Sequence, residues 1–156
     1  MTPELIVLLT AALPVVELRG AIPLAMGAFG FSAGSAYMIA VIGNFLPVIP
    51  LFLFLRHVSE WLMRHVRFID RFLTWLFSYT RRRHEEKFAG KNGFWKFVAL
   101  AAFVAVPLPG TGAWTGALVA FLFGLPLWRS VGAIAAGIFG AGLFVLILTV
   151  GVGSIF

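Results

Sequence analysis

The charge of this chain is confined to one block. Of its 18 charged residues, 14 lie between Arg56 and Lys96, and the stretches 1–55 and 97–156 carry only Glu4, Glu17, Arg19 and Arg129. Water-soluble domains run at roughly a quarter charged residues, whereas here 12% are charged and 61% hydrophobic, with 17 Phe, 17 Gly and 5 Trp. Two apolar halves around a charged centre describe an integral membrane protein whose outer surface meets lipid and whose Trp side chains gather at the interfaces. The chain opens on Met1-Thr2-Pro3-Glu4-Leu5, without a basic lead-in or a small-residue cleavage site followed by polar sequence, so the first apolar stretch is expected to stay in a single membrane domain over 1–156.

The central block holds ten basic and four acidic residues and with them the whole net charge of +6. Lys and Arg between apolar segments are retained on the cytoplasmic side. The centre is therefore expected in the cytoplasm, with each half entering the membrane from it and both termini outside. Tethered to the bilayer at both ends, this basic cluster is a poor nucleic-acid surface. Within it Val58, Trp61, Leu62, His65, Ile69, Phe72, Leu73 and Leu76 recur at helical spacing, with Glu60, Arg64, Arg67, Arg71, Thr74 and Ser78 opposite. That is the pattern of an amphipathic helix over the 56–96 segment, lying among anionic headgroups or packed on the membrane bundle.

Phe31–Leu55 and Leu127–Val152 are each long enough to cross a hydrocarbon core of ~30 Å at ~1.5 Å per residue. The segments before them are broken. Leu5–Leu13 meets Pro14, and Glu17-Leu18-Arg19-Gly20 intervenes before Ala21–Phe29; Phe97–Val106 meets Pro107-Leu108-Pro109-Gly110-Thr111-Gly112 before Ala113–Phe123. Each arm would reach only ~15 Å as a helix, half the core. Half-length arms around a breaker read as re-entrant hairpins over 1–30 and 97–124; one kinked crossing apiece is the alternative. A shift of 94 residues lays Phe29-Gly30 on Phe123-Gly124, Gly43 on Gly137 and Phe45 on Phe139. With a cytoplasmic centre the two spans run in opposite directions. The expected fold is thus all-α, an inverted repeat of re-entrant hairpin (1–30, 97–124) plus transmembrane helix (31–55, 125–156), the arrangement in which transporters place a midplane site.

Glu17 and Arg19 are the only charges between Leu5 and Leu55. Such residues cost roughly 2.5–3.5 kcal/mol each on insertion scales and mark functional sites by default. Two residues apart, they fit an unwound tip better than one face of a helix. The planar fork of Arg19 suits a phosphate or carboxylate, and burial disfavours the charged form of Glu17, making it a candidate for proton exchange. In the second break Gly110, Thr111, Gly112 and Thr115 offer N–H groups and hydroxyls at a half-helix start, a second jaw for an anion. Trp114 is a candidate to close the cavity, with packing as the commoner role of an aromatic there, and Asn44 is a lesser candidate read as an interhelical hydrogen bond.

Enzyme chemistry is poorly served. Asp70 is the only Asp and Cys is absent, which excludes paired-aspartate proteolysis, cysteine nucleophiles and thiolate metal sites. No G-x-S-x-G elbow, H-E-x-x-H motif or P-loop occurs, and His57, His65 and His84 lack ligand spacing. No catalytic residue, metal or cofactor is expected.

Glu17-Leu18-Arg19-Gly20-Ala21-Ile22-Pro23 and Pro107-Leu108-Pro109-Gly110-Thr111-Gly112-Ala113-Trp114-Thr115-Gly116, with the basic centre between them, resemble the small multidrug export family of prokaryotic membrane proteins over nearly the whole length. That family is remotely similar to the DedA superfamily, whose two facing re-entrant hairpins are implicated in flipping or scrambling lipids, polyprenyl phosphates among them. The resemblance implies a multi-pass protein of the prokaryotic inner membrane. It lays the first-hairpin acid and arginine on Glu17 and Arg19 and the second-hairpin turn on Pro107–Gly112. The superfamily pattern has further acidic and arginine residues near the second hairpin; here none occurs before Arg129.

The candidate transport residues are therefore Glu17, Arg19, Gly20 and Pro23 from the first break and Pro107, Pro109, Gly110, Thr111, Gly112, Trp114 and Thr115 from the second. The leading expectation is a flippase or scramblase of a phosphate-bearing lipid, held by Arg19 and the Gly110–Gly112 amides and proton-coupled through Glu17. Membrane lipids are its expected partners, and a homodimer would enlarge the small volume the chain encloses. A proton-coupled exporter of hydrophobic cations and a non-transporting scaffold are the alternatives.

Overall fold

The computed structural model describes residues 1–65, 93–108 and 110–153, and every regular element among them is an α-helix: α1 (Pro3–Ala12), α2 (Glu17–Gly27), α3 (Ala33–Phe45), α4 (Val48–His65), α5 (Gly93–Ala105), α6 (Ala113–Leu122) and α7 (Leu127–Gly153). Pro3 and Glu4 in the first turn of α1 suit a helix start, where a missing N–H costs nothing and negative charge is favoured. Ser32 caps α3 by accepting a hydrogen bond from the Ser35 N–H. Gly30 and Gly124, counterparts 94 residues apart, both take the left-handed conformation (φ +66° and +61°) in the turns that feed α3 and α7.

Two segments are long and apolar enough to cross a membrane, Ala33–Ser59 and Leu127–Val152. The second coincides with its expected bounds. The first covers all but the first two residues of the expected Phe31–Leu55 and runs on to Ser59, with a two-residue interruption at Leu46-Pro47 between α3 and α4, where Leu46 keeps helical φ/ψ. Pro47 has no N–H to donate, and its ring crowds the carbonyl one turn back. Beyond this turn α4 runs on through Arg56 to His65, so the span passes into the basic segment without a further break. Residues 66–92, and with them most of the expected amphipathic stripe, lie outside the described residues. The remaining apolar helices α1, α2, α5 and α6 have 10 to 13 residues, roughly 15–20 Å each.

The first break is shorter than its expected extent. Helix resumes at Glu17, so Glu17 and Arg19 stand in the first turn of α2 and not on an unwound tip. Leu13 is extended and residues 14–16 form a turn, which Glu17 completes at φ +51° before α2 continues as regular helix. Pro23 sits inside α2 and leaves the Arg19 carbonyl without its intrahelical donor. The second break lies where it was expected, between Ala105 and Ala113.

Helices α1, α2 and α3 pack on one another, as do α5, α6 and α7; α2 and α3 then pack against α7, and α4 against α6. The contacts are made by small residues. Ala11, Ala21, Ala25, Ala36 and Ala40 in the first half, and Ala113, Ala117 and Ala120 in the second, are fully buried, which brings backbones close where lipid offers no hydrophobic driving force. A Cβ at Gly43 would strike the Leu8 carbonyl and Ala11 on α1, and one at Gly137 would strike the Ala101 carbonyl and Val104 on α5. The two counterpart glycines thus perform the same task in each half. Outward-facing Ile42, Leu46, Leu53, Leu143, Ile147 and Leu148 are all exposed, a contiguous apolar exterior that needs lipid around it.

Gly43→Val and Gly137→Val should each lose about 1–3 kcal/mol through overpacking, whereas Gly132→Ala, which meets open space, should be neutral. Thermal unfolding of the purified protein in detergent distinguishes them.

Candidate functional site

The two breaks meet, and Glu17 and Arg19 join them. Glu17 is only 5% exposed. Its carboxylate rests against Gly112, where a Cβ would collide with both oxygens, and it accepts hydrogen bonds from the backbone N–H groups of Trp114 and Ala113. Those are among the first N–H groups of α6, which have no partner within their own helix and carry the positive end of its dipole. An acidic side chain of the first broken segment therefore caps a helix of the second. The left-handed backbone at Glu17 aims the side chain across the gap, and it places strain of the kind that persists where the surroundings over-determine it.

Arg19 serves the opposite polarity. Its Nη1 donates to the Leu108 carbonyl and its Nη2 to the Thr111 carbonyl, with Thr111 Oγ1 3.4 Å from Nη2. These carbonyls belong to the unwound backbone between α5 and α6, where helical partners are missing. Arg19 Nη2 also lies 3.8 Å from Glu17 Oε2, so the two charges partly neutralise one another. A third tie runs from the second half to the first: Trp114 Nε1 donates to the Ala12 carbonyl at the end of α1 (3.1 Å).

Within the second break two threonines hold the turn. Thr111 Oγ1 accepts from the Leu108 N–H and donates to the Val106 carbonyl. The Thr111 N–H donates to the Leu108 carbonyl, and the Gly112 N–H donates to Thr115 Oγ1 (2.8 Å). The amides of Thr111 and Gly112, expected to face an anion, are thus spent inside the turn. The anion-binding N–H groups are those of Ala113 and Trp114, and Glu17 occupies them. Gly110, at φ +86°, supplies the conformation that lets the chain turn here.

A cavity of about 200 Å³ lies at this junction, lined by Pro14, Val15, Glu17, Arg19, Gly110, Thr111, Gly112, Trp114 and Thr115. Seven of the eleven candidate transport residues border it. Pro23 and Pro107 line a second, larger cleft that shares only Arg19 with the first. Gly20 borders neither and packs against Val16, and Pro109 lies outside the described residues. The carbonyls of Ala12, Leu108 and Thr111, and the wall formed by Pro14 and Val15, were not anticipated. Backbone partners carry no residue-type signature, so only the meeting of the two breaks reveals them.

Asn44 is almost wholly buried, yet its Oδ1 accepts no hydrogen bond among the described residues, in contrast to the interhelical bond expected of it. The polar tie between spans is instead Tyr37, whose hydroxyl donates to the Phe139 carbonyl (3.1 Å) while its ring lies over Gly142. Among the described residues no three His, Cys, Asp or Glu side chains gather to hold a metal ion.

Among the described residues every regular element is helical and two segments are long and apolar enough to cross a membrane, as in an integral membrane protein. Residues 17–144 match the family described as "Putative small multi-drug export protein", and the chain belongs to that family. No curated protein and no solved structure matches it.

If Gly112 is kept free of a side chain for the Glu17 carboxylate, Gly112→Ala and Glu17→Gln should each destabilise the protein. Their double variant should fall short of the summed effects by about 0.5–3 kcal/mol, the range for residues in direct contact. Simple additivity in a double-mutant unfolding cycle would show that the two do not meet.

Proposed function

We propose that the chain is a transporter of amphiphiles bearing a phosphate headgroup, which it passes across the membrane at the junction of its two breaks. The observation that carries this reading is Arg19, a permanent charge only partly exposed in a protein otherwise nearly free of charge outside its central block. At most three of its five N–H donors are used by the described residues. The remaining donors suit a phosphate oxygen.

Glu17 gives the junction a closed state. As a carboxylate it holds the N-terminus of α6 and faces Arg19; as a neutral acid it would hold both more weakly, since hydrogen bonds to charged groups are roughly twice as strong as neutral ones. Protonation of Glu17 would loosen the tie between the hairpins and free Arg19 and the α6 amides for a headgroup. Transport coupled to protons follows from this exchange of one anion for another. A second reading, efflux of hydrophobic cations with Glu17 as the proton-exchanging group, is favoured by the family description. Against it stands Arg19, which repels a cation at the place where it would bind.

The architecture we attach to this function is the inverted repeat. It is supported by the contact of α1 with α2 and of α5 with α6, by the matched glycines Gly43 and Gly137, and by arms of half a membrane's thickness. With the basic centre in the cytoplasm, α1–α2 enters from outside and α5–α6 from inside, both termini are external, and the membrane is the prokaryotic inner membrane. Trp61, Trp95 and Trp128, all well exposed near helix ends, then belong to one cytoplasmic interface.

The absence of Cys makes this topology directly readable. Single-cysteine variants Thr2→Cys and Ser32→Cys should both react with an impermeant maleimide from outside the cell. A hairpin is ruled out if they react from opposite sides, since one kinked crossing would separate them.

In proteoliposomes the wild type should move a fluorescent polyprenyl phosphate or phospholipid, with a rate that changes with pH. Arg19→Ala should lower the rate by on the order of tenfold to a hundredfold, the worth of a charge-assisted hydrogen bond. Glu17→Gln should remove the pH dependence. Proton-driven movement of a lipophilic cation, with neither lipid moved, would replace this reading by the exporter.

A further inference from the structure

Arg19 borders a second space. A cleft of about 490 Å³ opens between α2 and α7, lined by Arg19, Pro23, Pro107, Phe144, Val145, Leu148, Thr149 and Val152. Its volume falls in the range of sites that take drug-sized ligands, roughly 300–1,000 Å³. The α7 wall, from Phe144 to Val152, forms one helix face about 12 Å long at 1.5 Å per residue. Leu148 and Val152 are more than half exposed while Val145 is 7% exposed, so the cleft is open at its side and closed at its back.

The chemistry of the lining is one-sided. Apart from Arg19 the walls are apolar or already satisfied: Thr149 Oγ1 donates to the Val145 carbonyl (2.8 Å), and Pro23 and Pro107 have no N–H to offer. No carboxylate borders the cleft. A hydrocarbon chain gains from such a wall, an anion gains from Arg19, and a cation gains from neither. The side opening in an apolar exterior faces the only medium that supplies hydrocarbon chains already in solution, the bilayer.

We propose that the α2–α7 cleft is the binding site for one hydrocarbon chain of an anionic lipid, which arrives sideways from the bilayer with its phosphate group at Arg19. The headgroup then stands where the cleft and the polar cavity at the breaks share their one common residue. This places the lipid's charged end at the junction while its chain never leaves an apolar environment. The assignment rests on the phosphate-headgroup reading above and adds to it the route and the seat of the tail.

Photo-crosslinking in bilayers tests it with the full chain. The probes are phosphatidic acid carrying a diazirine midway along one acyl chain, the matching diacylglycerol, and a matching trimethylammonium lipid. The readout is the ratio of adducts at Val145 and Thr149, inside the cleft, to adducts at Ile147, on the outward face. The phosphatidic acid probe should give a ratio several-fold above the diacylglycerol probe, and Arg19→Gln should bring the two together. Leu148→Trp narrows the cleft from its exposed rim without touching the breaks; it should cut the Val145 adduct while leaving that at Ile147 unchanged. Equal ratios for the charged and neutral probes in the wild type, or an excess for the trimethylammonium lipid, would overturn the assignment. A charge-dependent ratio in a protein that translocates no lipid would keep the cleft and remove the transport reading; Arg19-dependent translocation with equal ratios would do the reverse.

Discussion

Unwound backbone buried away from water needs hydrogen-bond partners, and in this protein each broken segment finds some of them in the other. The N-terminus of α6 has unpaired N–H groups, and Glu17 accepts from two of them. The turn before α6 holds carbonyls outside any helical ladder, and Arg19 donates to two of them, those of Leu108 and Thr111. The end of α1 has unpaired carbonyls, and Trp114 donates to one. An unsatisfied polar group away from water costs on the order of several kcal/mol, so each break is stabilised by its counterpart. Within each half the long helix is packed closely on the arm that precedes its break, through Gly43 on α1 and Gly137 on α5.

The same constraint gives the proposed transporter its working parts. A charge that completes backbone hydrogen bonding can be exchanged for another charge of the same sign. Glu17 is an anion held at a helix N-terminus, the position in which proteins commonly bind phosphate. A lipid phosphate, on this proposal, is the same kind of occupant supplied from outside. Arg19, fixed by carbonyls at one edge and open to an apolar cleft at the other, is the point at which structure and transport draw on one side chain.

Most of this fold was legible in the sequence because hydropathy and charge write it in long runs. Leu127–Val152 is recovered at its expected bounds, and the position of the second break follows from its Pro and Gly content. The first break misled in a specific way. Glu17 and Arg19 share no face of an ideal helix, yet a single left-handed residue at Glu17 lets α2 begin there and points the two side chains to different partners. Pro23 and Pro47 illustrate the same limit: one is absorbed within α2, the other interrupts the helix between α3 and α4. Residue types announced that Glu17, Arg19 and the 107–112 turn mattered. That the carboxylate would meet the amides of Ala113 and Trp114, and not those of Gly110–Gly112 foreseen for a ligand, depended on which N–H groups the turn had already taken.

The most direct test of the account is whether the two breaks are tied together in a bilayer. Solid-state NMR of the protein in lipid, with 15N in the arginine side chains and 13C at the backbone carbonyls, reads the distance from the Arg19 guanidinium to the carbonyls of Leu108 and Thr111. The account requires strong through-space transfer to both, and its loss together with the Trp114–Ala12 contact when Glu17 is replaced by Gln. An Arg19 guanidinium that transfers to neither carbonyl, in a protein otherwise helical over the same segments, would contradict it.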